Sequence, residues 1–568
     1  MGKDIAITVA LCVGTFLLYC YGAGNLEFFR HTEADRTLIA WSMLEAKSFA
    51  IPNILGISIF TKPPLFYWMV AGAIYLFGST AEMVVRMPSI IVASLFVGTQ
   101  YIVLRKAKFD TFMSFLGALF LCSSVQFART ADAVEIDMTF AFLCAMAFSL
   151  MFFSISKASL KLALLSYAFC ALAFLTKGYP IIGFMGGVVV VYYLLQRWVD
   201  KGASRIGISK FIIWNCLGAT VFLVIVGTWV YFVFQQPYGQ AYLSEYLLGE
   251  FRHRIAENNG RKSLFFYLPV ILTSIAPWSV LLVVGLVVPF CKKLSQSSYR
   301  EYFADKDYRN FFLFNLVVVL TGVVLLSIPA GKAERYYMPL LSATINLAVC
   351  GLVQIKNSKM PDYLYRIGKY LFITFAVACA VLPVSYFVGD RFATYVPMIN
   401  TIKWTLFILS LCVVGACFKK SSTVNVAVII VSLLVWRYIF AVPYVEARNQ
   451  ENSVKAFVSV INKTVPTEES IYFEVDSVQR WFAYYLKRLG RNVYILSSAV
   501  VEDINSVHSD VDSVYIIVSL KNLDINLAKE DGFEELARFV NGKHSVVLIK
   551  VRSEAISLIN TKAYIEWI

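Results

Sequence analysis

Acids, arginines and a rigid Lys-Pro-Pro turn crowd into residues 25–68, directly after the first apolar run. The stretch reads Asn25-Leu26-Glu27-Phe28-Phe29-Arg30-His31-Thr32-Glu33-Ala34-Asp35-Arg36, and later Lys62-Pro63-Pro64-Leu65-Phe66-Tyr67-Trp68. Ionisable groups beside a membrane are costly and mark functional sites by default. Glu33 and Asp35 are carboxylates that could take a proton from an acceptor hydroxyl, or acids that simply suit a positive helix end. Prolines 63 and 64 suit a helix start, and Tyr67 and Trp68 suit a membrane interface. Only Lys62 is left over, well placed for a lipid phosphate.

Further along, Ala131-Asp132-Ala133-Val134-Glu135-Ile136-Asp137 opens another apolar run. Asp137 is either a helix cap or a buried acid lining a cavity. Arg252, Arg254 and Arg261 lie on a loop at 235–265. The planar guanidinium fork matches phosphate oxygens. Lys332 and Tyr336, in Lys332-Ala333-Glu334-Arg335-Tyr336, are either snorkelling interface residues or further phosphate ligands.

The elements that must carry these residues are membrane helices. The 568-residue chain is 58% hydrophobic and 15% charged, with a mean hydropathy of +0.67. That excludes a soluble class and reads as a mainly α-helical polytopic membrane protein. A net charge of +14 fits basic cytoplasmic loops and anionic headgroups, not nucleic acid. Apolar runs fall near 5–24, 84–104, 111–129, 138–155, 161–176, 179–197, 211–234, 266–290, 310–328, 337–355, 369–388, 402–418 and 424–441, which predicts about thirteen transmembrane helices. The first is read as an uncleaved span.

The apolar stretch 65–78 is too short to cross a bilayer, which needs roughly 20 residues. If it lies at the interface and the N-terminus is cytoplasmic, the basic loops at 105–108, 157–161, 197–210, 292–309, 356–369 and 419–420 all fall inside, as the positive-inside rule requires. Glu33, Lys62, Asp137, Arg252 and Lys332 then share the outer face. Residues 1–444 form the membrane domain, with interfacial helices at about 25–80. Residues 445–568 lose the hydropathy and read as a small soluble extracytoplasmic α/β domain, with strand-like runs at 471–475, 493–496, 514–519 and 545–551 and a helix at 478–489. Eleven cysteines, all before residue 445, sit mostly in apolar runs and read as packing residues.

The joint order of these motifs resembles a known family. An acidic loop is followed by Lys62-Pro63-Pro64-Leu65 with Tyr67-Trp68, Ala128-Arg129 leading to Ile136-Asp137-Met138, and Thr176-Lys177-Gly178. Then come Phe266-Tyr267-Leu268-Pro269, Pro277-Trp278-Ser279, Arg335-Tyr336 and Pro339-Leu340-Leu341. Over about residues 1–440 the chain is similar to the lipid A aminoarabinose transferases and their protein-O-mannosyltransferase-like relatives among the GT-C glycosyltransferases.

That resemblance implies an inverting transfer of a sugar from a polyprenyl (undecaprenyl) phosphate to lipid A, lipopolysaccharide or another lipid or glycan acceptor, at the outer face of the inner membrane. It implies Glu33 or Asp35 as base and Lys62, Arg252 and Tyr336 on the leaving phosphate, with Asp137 shaping the cavity. Thr32-Glu33 stands where those enzymes usually have Asp-Glu, which puts the acid role on Glu33. Thr61, Gly249 and Gly260 stand where they often have Glu and histidines, so their usual divalent-metal ligands are not all present and no metal residue is assigned. The alternative is a lipid or glycan transporter or flippase using the same outer cavity; transporters tend to carry inverted repeats, and none is convincing in this sequence.

Overall fold

The structure is a computed structural model that describes residues 2–24, 26–28, 31–55, 57–58, 62–199, 206–246, 262–276, 278–287, 305–357, 453–473, 479–495, 513–519, 533–540 and 545–552. In chain order the helices are α1 (Gly2–Cys20), α2 (His31–Ala46), α3 (Leu65–Phe77), α4 (Glu82–Lys106), α5 (Thr111–Ser123), α6 (Val125–Ala128), α7 (Ile136–Lys157), α8 (Leu160–Lys177), α9 (Pro180–Val199), α10 (Ile208–Phe234), α11 (Gly239–Ser244), α12 (Tyr267–Ser274), α13 (Ser279–Val287), α14 (Lys306–Ser327), α15 (Leu341–Asn357), α16 (Val454–Thr464) and α17 (Gln479–Arg488). The chain divides into two compact units. The first comprises Met1–Tyr21, Phe60–Phe66 and Met87–Pro443; the second comprises Gly22–Ile59, Tyr67–Arg86 and Tyr444–Ile568.

Among the described residues, eight helical segments are long and apolar enough to cross a bilayer: α1, α4, α7, α8, α9, α10, α14 and Glu334–Val353. The protein is therefore an integral membrane protein. Leu223, Val224 and Tyr231 on α10 are more than 60% exposed, an apolar surface suited to lipid. The apolar runs at 369–388, 402–418 and 424–441 lie outside the described residues.

Among the described residues, two of the predicted runs are interrupted by a turn of the chain. The run at 111–129 ends α5 at Ser123, because Ser124 turns extended (ψ 141°). The run at 266–290 splits into α12 and α13. The two breaks serve each other: Val125 N–H donates to Ala276 C=O at 3.2 Å, Trp278 Nε1 donates to Ser123 Oγ at 2.8 Å, and Phe120 stacks on Trp278. Backbone groups freed inside a membrane must find partners, and paired breaks supply them.

Close helix approach follows from small residues. A Cβ on Gly351 would lie 2.1 Å from Leu281 C=O, and one on Gly285 would lie 2.6 Å from Leu347 C=O, so α13 and α15 meet backbone to backbone. A buried polar chain also ties three helices: Ser342 Oγ donates to Gln100 Oε1 (2.6 Å), Gln100 Nε2 to Asn346 Oδ1 (2.7 Å), and Asn346 Nδ2 to Asn315 Oδ1 (2.9 Å).

In the second unit, β1 (Asn53–Ile54) and β2 (Ile57–Ser58) form a small antiparallel hairpin. The larger sheet contains β3 (Ile471–Phe473), β4 (Val493–Ile495), β5 (Ser513–Ser519), β6 (Phe533–Phe539) and β7 (Val546–Arg552), in the order β4-β3-β5-β7-β6. β3 is parallel to β4 and β5, while β5-β7-β6 is antiparallel. The parallel pair β3-β4 needs a crossover, which α17 provides.

Candidate active site

The first unit brings Asp137, Lys177 and Tyr336 into one neighbourhood. α7 and α8 are consecutive and antiparallel, turned by Ala158 in the left-handed region (φ 50°). Asp137 lies in the first turn of α7 and Lys177 is the last residue of α8, so a hairpin of nearly equal arms sets them level. Both side chains are buried and they form an ion pair. The Lys177 ammonium also lies over the rings of Phe140 (5.5 Å) and Tyr336 (4.9 Å). The Arg335 guanidinium lies 5.8 Å from the same Tyr336 ring. Cations held against aromatic faces are stabilised most where water is scarce.

The backbone at Lys62 is linked to this cluster through tyrosines. Tyr242 OH donates to Lys62 C=O at 2.9 Å, and the Tyr242 ring stacks on Tyr246 at 6.0 Å. The Tyr246 hydroxyl presses on Gly178, where an added Cβ would sit 1.8 Å from it. Gly178 closes α8 with φ 87°, ψ −149°, a conformation open essentially only to glycine. Thr176-Lys177-Gly178 thus couples a helix stop to a buried cation.

Lys332 is buried, and it forms a reciprocal pair with Lys262: each ammonium donates to the other residue's carbonyl (3.3 and 2.8 Å). Lys262 lies over Phe266 at 4.8 Å. Arg129 pairs with Glu334 at 3.1 Å, both more than half exposed. This neighbourhood holds more cations than acids and has aromatic walls, a composition that suits an anion with an apolar tail. Arg252, Arg254 and Arg261 lie outside the described residues.

Glu33 and Asp35 belong to the second unit. Glu33 is buried and takes a bidentate pair from Arg86: Nε to Oε1 at 3.0 Å and Nη2 to Oε2 at 3.3 Å. The same guanidinium donates to the carbonyls of Ala23 (2.6 Å), Leu26 (2.9 Å) and Glu27 (3.2 Å). One arginine therefore holds both the acid and the chain leading to it. Asp35 pairs with Arg480 at 3.3 Å. Glu82, also buried, is paired with Arg488 and Lys455 (both 2.5 Å) and accepts from Tyr485 OH at 3.3 Å. Burial first, and Glu82 second, push the Tyr485 phenol well above its ordinary range.

Sequence reasoning passed over Arg86, Glu82, Arg480 and the tyrosines 242 and 246. An arginine near the start of an apolar helix was a signal for Arg86; the others have no local signature. Among the described residues, no group of three or more His, Cys, Asp and Glu side chains is placed to hold a metal ion. Gly249, His253 and Gly260 lie outside them.

Residues 61–232 match the family described as dolichyl-phosphate-mannose-protein mannosyltransferase, a segment that contains Lys62, Asp137 and Lys177. The chain is 24% identical over 350 residues to the undecaprenyl phosphate-alpha-4-amino-4-deoxy-L-arabinose arabinosyl transferase of Pseudomonas paraeruginosa, covering 61% of this chain and 59% of the relative. It is 27% identical over 354 residues to that of Pseudomonas savastanoi pv. phaseolicola, covering 61% and 62%. The chain thus spans about three fifths of the length of the curated relatives it matches. The crystal structure of ArnT from Cupriavidus metallidurans in the apo state superposes with a TM-score of 0.72 at 16% identity, over 97% of this chain and 98% of that one. The same protein bound to undecaprenyl phosphate gives 0.69 at 15% identity, over 96% and 97%. The chain has the ArnT fold, and its resemblance to the GT-C glycosyltransferases rests on these matches as well as on its motifs.

Proposed function

We propose that this protein is an inverting glycosyltransferase of the inner membrane. It moves a sugar from undecaprenyl phosphate to lipid A, lipopolysaccharide or another envelope acceptor, with its N-terminus cytoplasmic and its site and C-terminal domain extracytoplasmic. The observation that carries the reading is the cationic, aromatic-walled cluster of Lys177, Arg335, Phe140 and Tyr336, on a chain that matches undecaprenyl-phosphate arabinosyl transferases in sequence and ArnT in fold.

In the reaction, the bond between the sugar's anomeric carbon and the phosphate oxygen breaks. The electron pair and the growing negative charge go to the phosphate. An acceptor hydroxyl attacks the opposite face of the sugar, and its proton passes to a carboxylate. Lys62, Lys177 and Tyr336, with Lys332, Arg252, Arg254 and Arg261, offset the phosphate charge as it grows. Asp137 neutralises Lys177 in the resting site and orients it. Glu33 or Asp35 takes the proton. Arg86 holds both Glu33 oxygens and so fixes the direction in which the carboxylate faces.

The test is mass spectrometry of envelope lipids and glycans from cells with and without the protein. Loss of one defined sugar from a lipid or glycan is the expected result and names the acceptor. An unchanged glycan inventory with a lipid redistributed between leaflets would replace the transferase by a flippase.

A further inference from the structure

The helix α17 of the C-terminal sheet has two working faces. Phe482 faces its own sheet region, 5.4 Å from Phe457 and 5.5 Å from Phe539. The other face meets residues 28–82. Arg480 pairs with Asp35 (3.3 Å), Lys487 with Glu45 (2.8 Å) and Arg488 with Glu82 (2.5 Å). Tyr484 OH donates to Thr80 C=O at 2.6 Å, and Tyr485 OH accepts from Phe28 N–H at 3.1 Å. Positions 480, 484, 487 and 488 fall on one helical stripe, so three cations meet three acids along one edge.

A second clasp lies at α16. Glu27 accepts from Ser453 Oγ (2.6 Å) and from Val454 N–H (3.0 Å), a carboxylate at a helix N-terminus where it is favoured. The acid-bearing segment is therefore gripped at Glu27, Asp35, Glu45 and Glu82 by residues more than 400 positions away.

We propose that α17 is a positioning element for the acid-bearing helix α2, with Arg480, through Asp35, as the positioning residue that aims the acids at positions 33 and 35. This rests on the transferase reading. Its consequence is that the C-terminal sheet serves turnover and not donor capture, because Lys62, Lys177 and Tyr336 belong to the other unit.

The experiment uses the full-length protein in proteoliposomes, with Arg480→Gln and Arg480→Lys. Three quantities are measured: transfer from an undecaprenyl-phosphate sugar, binding of undecaprenyl phosphate itself, and hydrogen exchange across α2. Arg480→Gln is expected to lower kcat about 10- to 100-fold, the size of a misplacement near 1 Å. It should leave the lipid phosphate Kd within about twofold and raise exchange in the first turns of α2 by about three- to tenfold, as loss of a half-buried ion pair does. Arg480→Lys keeps the charge and should restore kcat to within a few fold of the parent.

Parental kcat and exchange in Arg480→Gln would overturn the proposal, and so would a matching loss of lipid phosphate binding, which would mean a general structural role. If Arg480→Gln does not fold, Arg480→Lys is compared alone, and a parental exchange pattern with kcat down more than tenfold would count against it. A parent protein that binds lipid phosphate but transfers no sugar would remove the transferase reading, while the exchange comparison would still decide the positioning.

Discussion

Arg86→Met isolates one densely bonded buried charge of the second unit. The substitution keeps much of the apolar stem and removes five hydrogen bonds: two to Glu33 and one each to the carbonyls of Ala23, Leu26 and Glu27. Glu33 would remain buried without its guanidinium partner, and breaking one side of a buried pair costs about 3–5 kcal/mol. The three carbonyls add about 1 kcal/mol each where water cannot replace the donor. At 1.4 kcal/mol per tenfold, the pair alone corresponds to roughly two to three and a half powers of ten in local opening.

Native-state hydrogen exchange over residues 23–46 in nanodiscs reads that quantity directly. The double variant Glu33→Met/Arg86→Met removes both charges and should recover most of the pair's share, leaving about 3 kcal/mol or less from the carbonyls. An increase in exchange below tenfold for Arg86→Met would refute the reasoning. So would an increase spread evenly over α7–α10, which would signify global loosening and not release of one loop.

Three further outcomes follow from the first unit. Gly178→Ala places a Cβ against the Tyr246 hydroxyl and forces a glycine-only backbone; it should cost about 1–3 kcal/mol and weaken lipid phosphate binding, and a parental melting temperature would contradict that. Lys177→Met strands the buried Asp137 and should cost about 3–5 kcal/mol, with Asp137→Asn/Lys177→Met more stable than Lys177→Met alone by thermal unfolding in detergent; equal stabilities would show the pair is not coupled. Gln100→Leu deprives Ser342 and Asn346 of partners, at about 1–3 kcal/mol per stranded group; a variant at least as stable as the parent would mean that the polar chain does not hold the helices.

Hydropathy was legible because it is local. Eight apolar runs became helices within a few residues of their sequence-read ends, since a bilayer demands about 20 apolar residues at a stretch. The C-terminal strands at 471, 493, 514 and 546 were legible from β-branched and aromatic runs. Phe533–Phe539, which reads FEELARF, was not: its spacing suits a helix, and it is a strand because β7 pairs with it along its length, through a register shift at Glu535/Ala537. The breaks at Ser124 and between α12 and α13 were hidden too, because each finds hydrogen-bond partners in the other, far along the chain.

The sequence alone determined the class of the molecule and the approximate placing of its spans, and it singled out Lys62, Asp137, Lys332 and Tyr336 as candidate site residues. Tertiary structure decided which charge meets which. It matched Glu33 with Arg86, 53 positions on, Asp137 with Lys177, 40 positions on, and Glu82 with Arg488, 406 positions on. A span is specified by the free energy of its own residues in lipid, summed along the chain. An ion pair is specified by the cost of leaving either charge buried alone, and that cost exists only once folding has removed the water around both.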